Sequence, residues 1–276
     1  MTARSLPRLL ALSMALLTAH LPAQAKDATP HQALDTPSEV LPWQAVGRLE
    51  LGRSGFCTGA LISPKLVLTA AHCVYDKRTG ALRDAQQITF RAGYRQGRAA
   101  ATRRGKRFRV HPDYDYGGGT NSYAEIATDV AVIELEHPIN NAAIRPFRTH
   151  RKPSANDRVM VVSYARGRTE VPALEDGCKM THAAADVLHY TCDIDFGSSG
   201  APVFVMTHQG AQIASVMSST GTRGSRKVAL GVAMGPSVDR LIHQLNTSNA
   251  KSKFVKVGGA TRGTGVITSR LPQIGK

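Results

Sequence analysis

Gly197-Ser198-Ser199-Gly200-Ala201-Pro202 runs straight into the apolar Val203-Phe204, a string that presents a serine on a tight turn. Glycine at positions 197 and 200 permits a backbone that a side chain would obstruct, so the amides of Gly197 and Ser199 can point at one spot beside the Ser199 hydroxyl. A nucleophile next to a pair of oxyanion donors is the equipment of acyl transfer. Taken alone, a string rich in glycine, serine and proline is more often a plain loop between strands. Two earlier stretches supply what such a serine lacks. His72, in Leu66-Val67-Leu68-Thr69-Ala70-Ala71-His72-Cys73, is a base for the serine proton. Asp129, opening Asp129-Val130-Ala131-Val132-Ile133-Glu134-Leu135, is a carboxylate that can hold that base in one tautomer.

The elements that must position these groups are short strands. Lys65 to Leu68 carries a strand signal, and the small residues Thr69-Ala70-Ala71 let the chain turn so that His72 faces a cleft. Asp129 precedes four apolar residues, the pattern of a strand buried on both faces, and a carboxylate at the entrance to such a strand must find a partner. The imidazole of His72 is that partner; an aspartate that only caps a turn is the plainer alternative. Further strands are expected over Arg158–Tyr164, Val187–Ile194, Ala201–Met206, Ala211–Ser218 and Lys227–Met234, separated by Gly, Pro and polar turns, a spacing that indicates antiparallel β structure. Pro236-Ser237 then opens a helix with Val238, Leu241, Ile242 and Leu245 on one face and Ser237 as its cap. The single tryptophan, Trp43, reads as packing, and His111, in Val110-His111-Pro112-Asp113, is assigned no chemistry.

The chain order His72, Asp129, Ser199, the string Thr-Ala-Ala-His-Cys and the string Gly-Ser-Ser-Gly-Ala-Pro together resemble the chymotrypsin-type serine proteases, from about Pro42 to Leu245. The resemblance implies an all-β fold of two antiparallel β-barrels, 42–150 and 151–245, with the active site in the cleft between them and a C-terminal helix. It implies protein or peptide substrates, no metal and no organic cofactor. It selects Cys57 with Cys73, because the family commonly braces the histidine segment there, which leaves Cys178 to pair with Cys192. Asp193 stands six residues before Ser199, the offset at which trypsin-like members read Lys or Arg, and the pocket wall is expected from Ser215, Val216, Met217 and Ser218. Cys192 does not match the usual cysteine offset, so Asp193 or Asp195 is alternatively a turn residue. Ser198 replaces the aspartate that pairs with a freed amine in trypsin-like zymogens, and no Ile-Val-Gly-Gly-type site lies between Lys26 and Pro42. That departure is similar to the bacterial glutamyl endopeptidases and implies an oxyanion hole ordered without amine insertion.

Length and charge bound the rest. A chain of 276 residues can bury a sizeable core, and its formal charge of +15 favours anionic partners without specifying a site. Met1 to Ala25 has a positive start at Arg4 and Arg8, an apolar run from Leu9 to Ala19 and a small-x-small Ala23-Gln24-Ala25, the signature of a signal peptide cleaved after Ala25. Export, to the periplasm or the medium, follows, and an oxidising compartment suits disulfides better than zinc binding or free thiols. No later run is long and apolar enough to span a membrane. Residues 26–41 read as a flexible N-terminus or short pro-segment, and Asn246–Lys276, with six Lys or Arg and no acid, as a disordered basic tail. Arg95, Arg98, Arg103, Arg104, Lys106, Arg107 and Arg109 read as a mobile basic loop or hairpin. Loop and tail admit a second reading, a non-catalytic polyanion-binding protein on a protease fold. An α/β-hydrolase is set aside, since Ala201 breaks Gly-x-Ser-x-Gly and the chain order is reversed.

Overall fold

The computed structural model describes residues 31–253 apart from 54, 118–121 and 151–152. The signal peptide and most of the basic tail therefore lie outside the described residues. The chain is built of strands. β1 (Gln32–Ala33) and a short helix α1 (Pro37–Val40) lead into β2 (Val46–Leu51), β3 (Phe56–Ser63), β4 (Leu66–Thr69), β5 (Ile88–Ala92), β6 (Ala101–Val110), α2 (Tyr123–Thr128) and β7 (Ala131–Leu135). The second half contributes β8 (Arg158–Ala165), β9 (Arg168–Ala184), β10 (Val187–Tyr190), β11 (Pro202–Thr207), β12 (Gly210–Arg223), β13 (Arg226–Ala233) and α3 (Pro236–Lys253).

β2-β3-β4-β7-β6-β5 close into a barrel, and the second sheet has the order β1-β9-β10-β13-β12-β11-β8. A further β9–β8 pairing brings that sheet back on itself, with β1 as an added edge strand. β4 and β7 have every residue buried, as their unbroken apolar runs require, and they pair antiparallel with Thr69 opposite Ala131. This register matters for the site. His72 follows the end of β4 and Asp129 precedes the start of β7, so antiparallel pairing delivers both to one end of the barrel. Between the two sheets, Trp43 lies with its ring 5.2 Å from that of Phe204 and 6.2 Å from that of Phe147, the packing role expected of it.

Four sequence expectations change. Residues 31–41 are not flexible: Gln32 and Ala33 pair with Leu174 and Ala173 of β9, Leu34 is buried, and Thr36 and Glu39 form a reciprocal capping box on α1. The stretch with seven basic residues takes the hairpin form rather than the loop: Arg95 bridges to Arg98 near its turn, and the rest is largely strand β6, held between β5 and β7. Within it, Arg107 Nε donates to the buried Glu134 at 2.5 Å and Nη2 donates to Leu245 O at 2.9 Å, which ties β7 to α3. α3 continues to Lys253, so the boundary drawn at 245 cuts a helix. Ser237, expected as the helix cap, lies inside the first turn of α3, and its hydroxyl instead meets His111 Nε2 at 3.0 Å, a structural contact that joins the end of β6 to α3.

Candidate active site

His72 sits in a 3-10 turn, Ala71–Val74, and the Cys57–Cys73 disulfide anchors that turn to β3. Asp129, the residue that ends α2, is 3% exposed, and three donors converge on its carboxylate. Oδ1 accepts the His72 backbone N–H at 2.8 Å; Oδ2 lies 2.7 Å from His72 Nδ1 and accepts the Ser218 hydroxyl at 2.5 Å. Burial by itself would raise the carboxyl pKa. The charge of His72, with the hydrogen bonds from its ring, from Ser218 and from its amide, outweighs burial and holds Asp129 below the ordinary aspartate range. An ionised carboxylate at that distance requires the imidazole proton on Nδ1, which leaves the Nε2 lone pair to receive a proton.

Ser199 is held by a turn whose peptide units are aimed one by one. Thr58 Oγ1 donates to Gly197 O and Thr58 N to Ser199 O, each at 2.8 Å. Gly197 and Gly200 have φ of 99° and 78°; a Cβ at the first would strike the Phe56 ring and at the second Thr69 Oγ1 and Thr58 O, so both positions need glycine. Ser198 N donates to Asp195 O at 2.9 Å and Gly200 N to Met217 O at 2.7 Å. Among the described residues, the alternate amides of Gly197 and Ser199 donate to no carbonyl or side chain of the protein. Their peptide units are nevertheless fixed, because Phe196 O accepts Arg166 N at 2.7 Å and Ser198 O accepts Ala201 N at 2.9 Å. In a trans peptide the N–H points opposite the C=O, so anchoring each carbonyl aims the neighbouring amide. Two amides left unused on anchored peptide planes, one of them Ser199's own, are donors of the kind an oxyanion needs.

His72, Asp129 and Ser199 line one cleft of about 520 Å³, together with Ser218, Phe196 and Lys227. Of the pocket residues expected from sequence, only Ser218 reaches it, and its hydroxyl is turned to Asp129. Ser215, Val216 and Met217 are buried within β12 rather than lining the cleft. Asp193 does not line it either: its side chain meets Lys227 Nζ at 3.3 Å and its N–H is held by both oxygens of Glu175, at 3.0 and 3.1 Å. Ser219, Thr220 and Lys227 form that side instead. Lys227 comes from β13 opposite Thr222, a juxtaposition with no local signal in the sequence. The other disulfide, Cys178–Cys192, ties β9 to the segment before the serine turn. Ligand-like clusters at Cys57, His72 and Cys73 and at Glu175, Cys178 and Cys192 each have both sulfurs in a disulfide, which removes the thiolates a metal would need.

Among solved structures, a Glu endopeptidase in complex with MPD superposes with a TM-score of 0.62 at 21% identity, over 75% of this chain and 92% of that one. A thermostable serine protease from an extremophilic microorganism gives 0.61 at 16% identity, over 76% of this chain and 100% of that one. At these identities the superpositions speak for the fold alone. A glutamyl endopeptidase of Bacillus licheniformis is 28% identical over 170 residues, 61% of this chain and 51% of that protein. A trypsin of Phaedon cochleariae is 33% identical over 109 residues, 39% of this chain and 37% of that protein. The chain thus spans about half, or less, of the length of these curated relatives. The family model described as Trypsin matches residues 32–235, well over half of the chain, and the protein therefore belongs to the trypsin family of serine proteases.

Proposed function

We propose that this protein is an exported serine endopeptidase, secreted or periplasmic after cleavage of its leader near Ala25, with His72, Asp129 and Ser199 as its catalytic triad. The observation that carries the reading is the His72–Asp129 pair, closed from the far side by Ser218, at the same cleft as Ser199. His72 Nε2 removes the Ser199 proton as the hydroxyl attacks a peptide carbonyl, and Asp129 stabilises the imidazolium that forms. The amides of Gly197 and Ser199 bind the oxyanion, each worth roughly 3 to 4 kcal/mol when measured by removal. The tetrahedral adduct collapses with loss of the amine, protonated by His72, and water then enters by the same route to release the acid. Residues of this chain suffice for every step.

On the specificity side, Lys77 and Lys227 bring cations to a cleft that Glu125 and Asp195 also line; Lys227, although paired with Asp193 outside the cleft, is the cation we assign to an acidic P1 side chain. The name of the glutamyl endopeptidase relative points the same way. A polyanion-binding protein without activity is the weaker reading, because a non-catalytic chain has no use for an aimed pair of amides beside a serine. The deciding experiment is labelling with a serine-reactive fluorophosphonate in the unaltered chain, Ser199→Ala and Ser198→Ala. Label in the first and third but not the second is expected. Loss of label in Ser198→Ala with retention in Ser199→Ala would refute the nucleophile assignment.

A further inference from the structure

Ser198, immediately before the candidate nucleophile, is fully buried, and a buried hydroxyl needs a partner. Its Oγ lies 3.3 Å from that of Ser163 on β8, which is itself 2% exposed. Behind Ser163 stands Arg168, the first residue of β9, whose Nη1 donates to Ser163 O at 2.6 Å and to Ser163 Oγ at 3.1 Å. A guanidinium can only donate, so Ser163 Oγ accepts from Arg168 and keeps its own proton to share with Ser198. Arg168 lies in the field of Glu175, Asp193 and Asp195. Glu175, 1% exposed, holds the Asp193 amide at the start of the same turn. One hairpin, β8 and β9, therefore grips the turn at both ends. Arg166 adds a third hold, on Asp195 at 2.9 Å, but that ion pair is open to solvent and its side chain is replaceable by water. The Arg168 contacts are part-buried and end on the buried Ser163, and their loss would remove the donor that fixes which way the Ser163 and Ser198 hydroxyls point.

We infer that Arg168 is a positioning residue: acting through Ser163 and Ser198, it holds the oxyanion turn in its aimed conformation, with a neutral hydroxyl relay in place of a direct ion pair. The inference rests on the serine-endopeptidase reading for its effect on rate, but the device itself is a property of the turn. Rotation of Ser198 would rotate the peptide between Ser198 and Ser199, and with it one of the two amides meant for the oxyanion. Substrate binding along the cleft would be little affected.

The test compares Arg168→Ala, Arg168→Lys, Ser163→Ala and the double variant with Arg158→Ala, which loses an exposed ion pair to Asp176. Hydrogen exchange of the peptide spanning 193–200 is expected to quicken in Arg168→Ala and Ser163→Ala, with the barrel strands unchanged, and to stay as in the unaltered chain in Arg158→Ala. With casein-derived substrate, kcat should fall about a hundredfold in either single variant while KM stays within a few-fold, the mark of a lost oxyanion donor. A peptide boronate, which forms a tetrahedral adduct, should weaken in parallel. The double variant should lose no more than the worse single, and Arg168→Lys should recover part of the rate. Ser163→Ala, which removes one hydroxyl only, carries the test if Arg168→Ala does not fold. Unchanged exchange over 193–200, a rise in KM with kcat intact, or losses that multiply in the double variant would each overturn the inference. Absence of fluorophosphonate labelling in the unaltered chain would overturn the endopeptidase reading instead and leave the exchange result to judge the device.

Discussion

Replacing Asp129 by Asn removes a charge and reverses one end of a hydrogen-bond network, and the geometry says what each costs. Three donors face this carboxylate: the His72 amide on Oδ1, and the His72 ring and Ser218 hydroxyl on Oδ2. Asparagine offers one oxygen and one NH₂. If its oxygen keeps the His72 amide, its NH₂ faces His72 Nδ1, which must give up its proton, and the ring moves to the tautomer with hydrogen on Nε2. That tautomer cannot accept the Ser199 proton. In the flipped orientation the ring is correct, but the buried His72 N–H faces another donor, a cost of about 1 to 3 kcal/mol. The productive arrangement is thus populated about 5- to 150-fold less, since about 1.4 kcal/mol is a factor of ten. The imidazolium formed in the reaction also loses its counter-charge, and the combined loss expected in kcat is about 10⁴-fold. The assay is initial-rate hydrolysis of labelled casein, with near-ultraviolet circular dichroism as the check that the fold survives. Activity of Asp129→Asn within tenfold of the unaltered chain, in a folded protein, would refute the assignment of the tautomer to Asp129.

Three further outcomes are expected. Lys227→Met should lower kcat/KM for substrates with Glu at P1 relative to those with Arg, measured on matched peptides; an unchanged ratio would take Lys227 out of specificity. Replacing Cys57 and Cys73 together by serine should lower stability by about 3 kcal/mol for a sequence separation of 16, read as a lower urea midpoint at constant slope, and should also reduce turnover because His72 is next to the bridge. The folded-state pKa of Asp129 is depressed, so its contribution to stability is complete above the unfolded value of about 3.9 and is lost as pH falls through the folded value. Urea unfolding from pH 6 down to pH 2 should therefore fall more steeply for the unaltered chain than for Asp129→Asn, and parallel curves would refute the link.

Short-range chemistry is the part of this site that the chain encodes locally. The glycines around Ser199, the small residues before His72 and the apolar run after Asp129 each state a local backbone requirement that no distant residue can waive: Gly197 and Gly200 take positive φ, and buried strands end just before His72 and begin just after Asp129. The basic stretch admits both loop and hairpin in the sequence for a physical reason: in β6 only Gly105 is buried and the other residues stay exposed or partly exposed, so no apolar alternation marks the strand. β1 is only two residues long and exists because the edge of β9 is there to receive it. The partners that surround the site come instead from distant parts of the chain. Ser218 reaches Asp129 across 89 residues, Ser163 reaches Ser198 across 35, and Lys227 enters the cleft through strand register alone. Such contacts are set by how sheets close and pack, and a side chain one position along a strand points to the opposite face, so spacing in the chain carries no record of them.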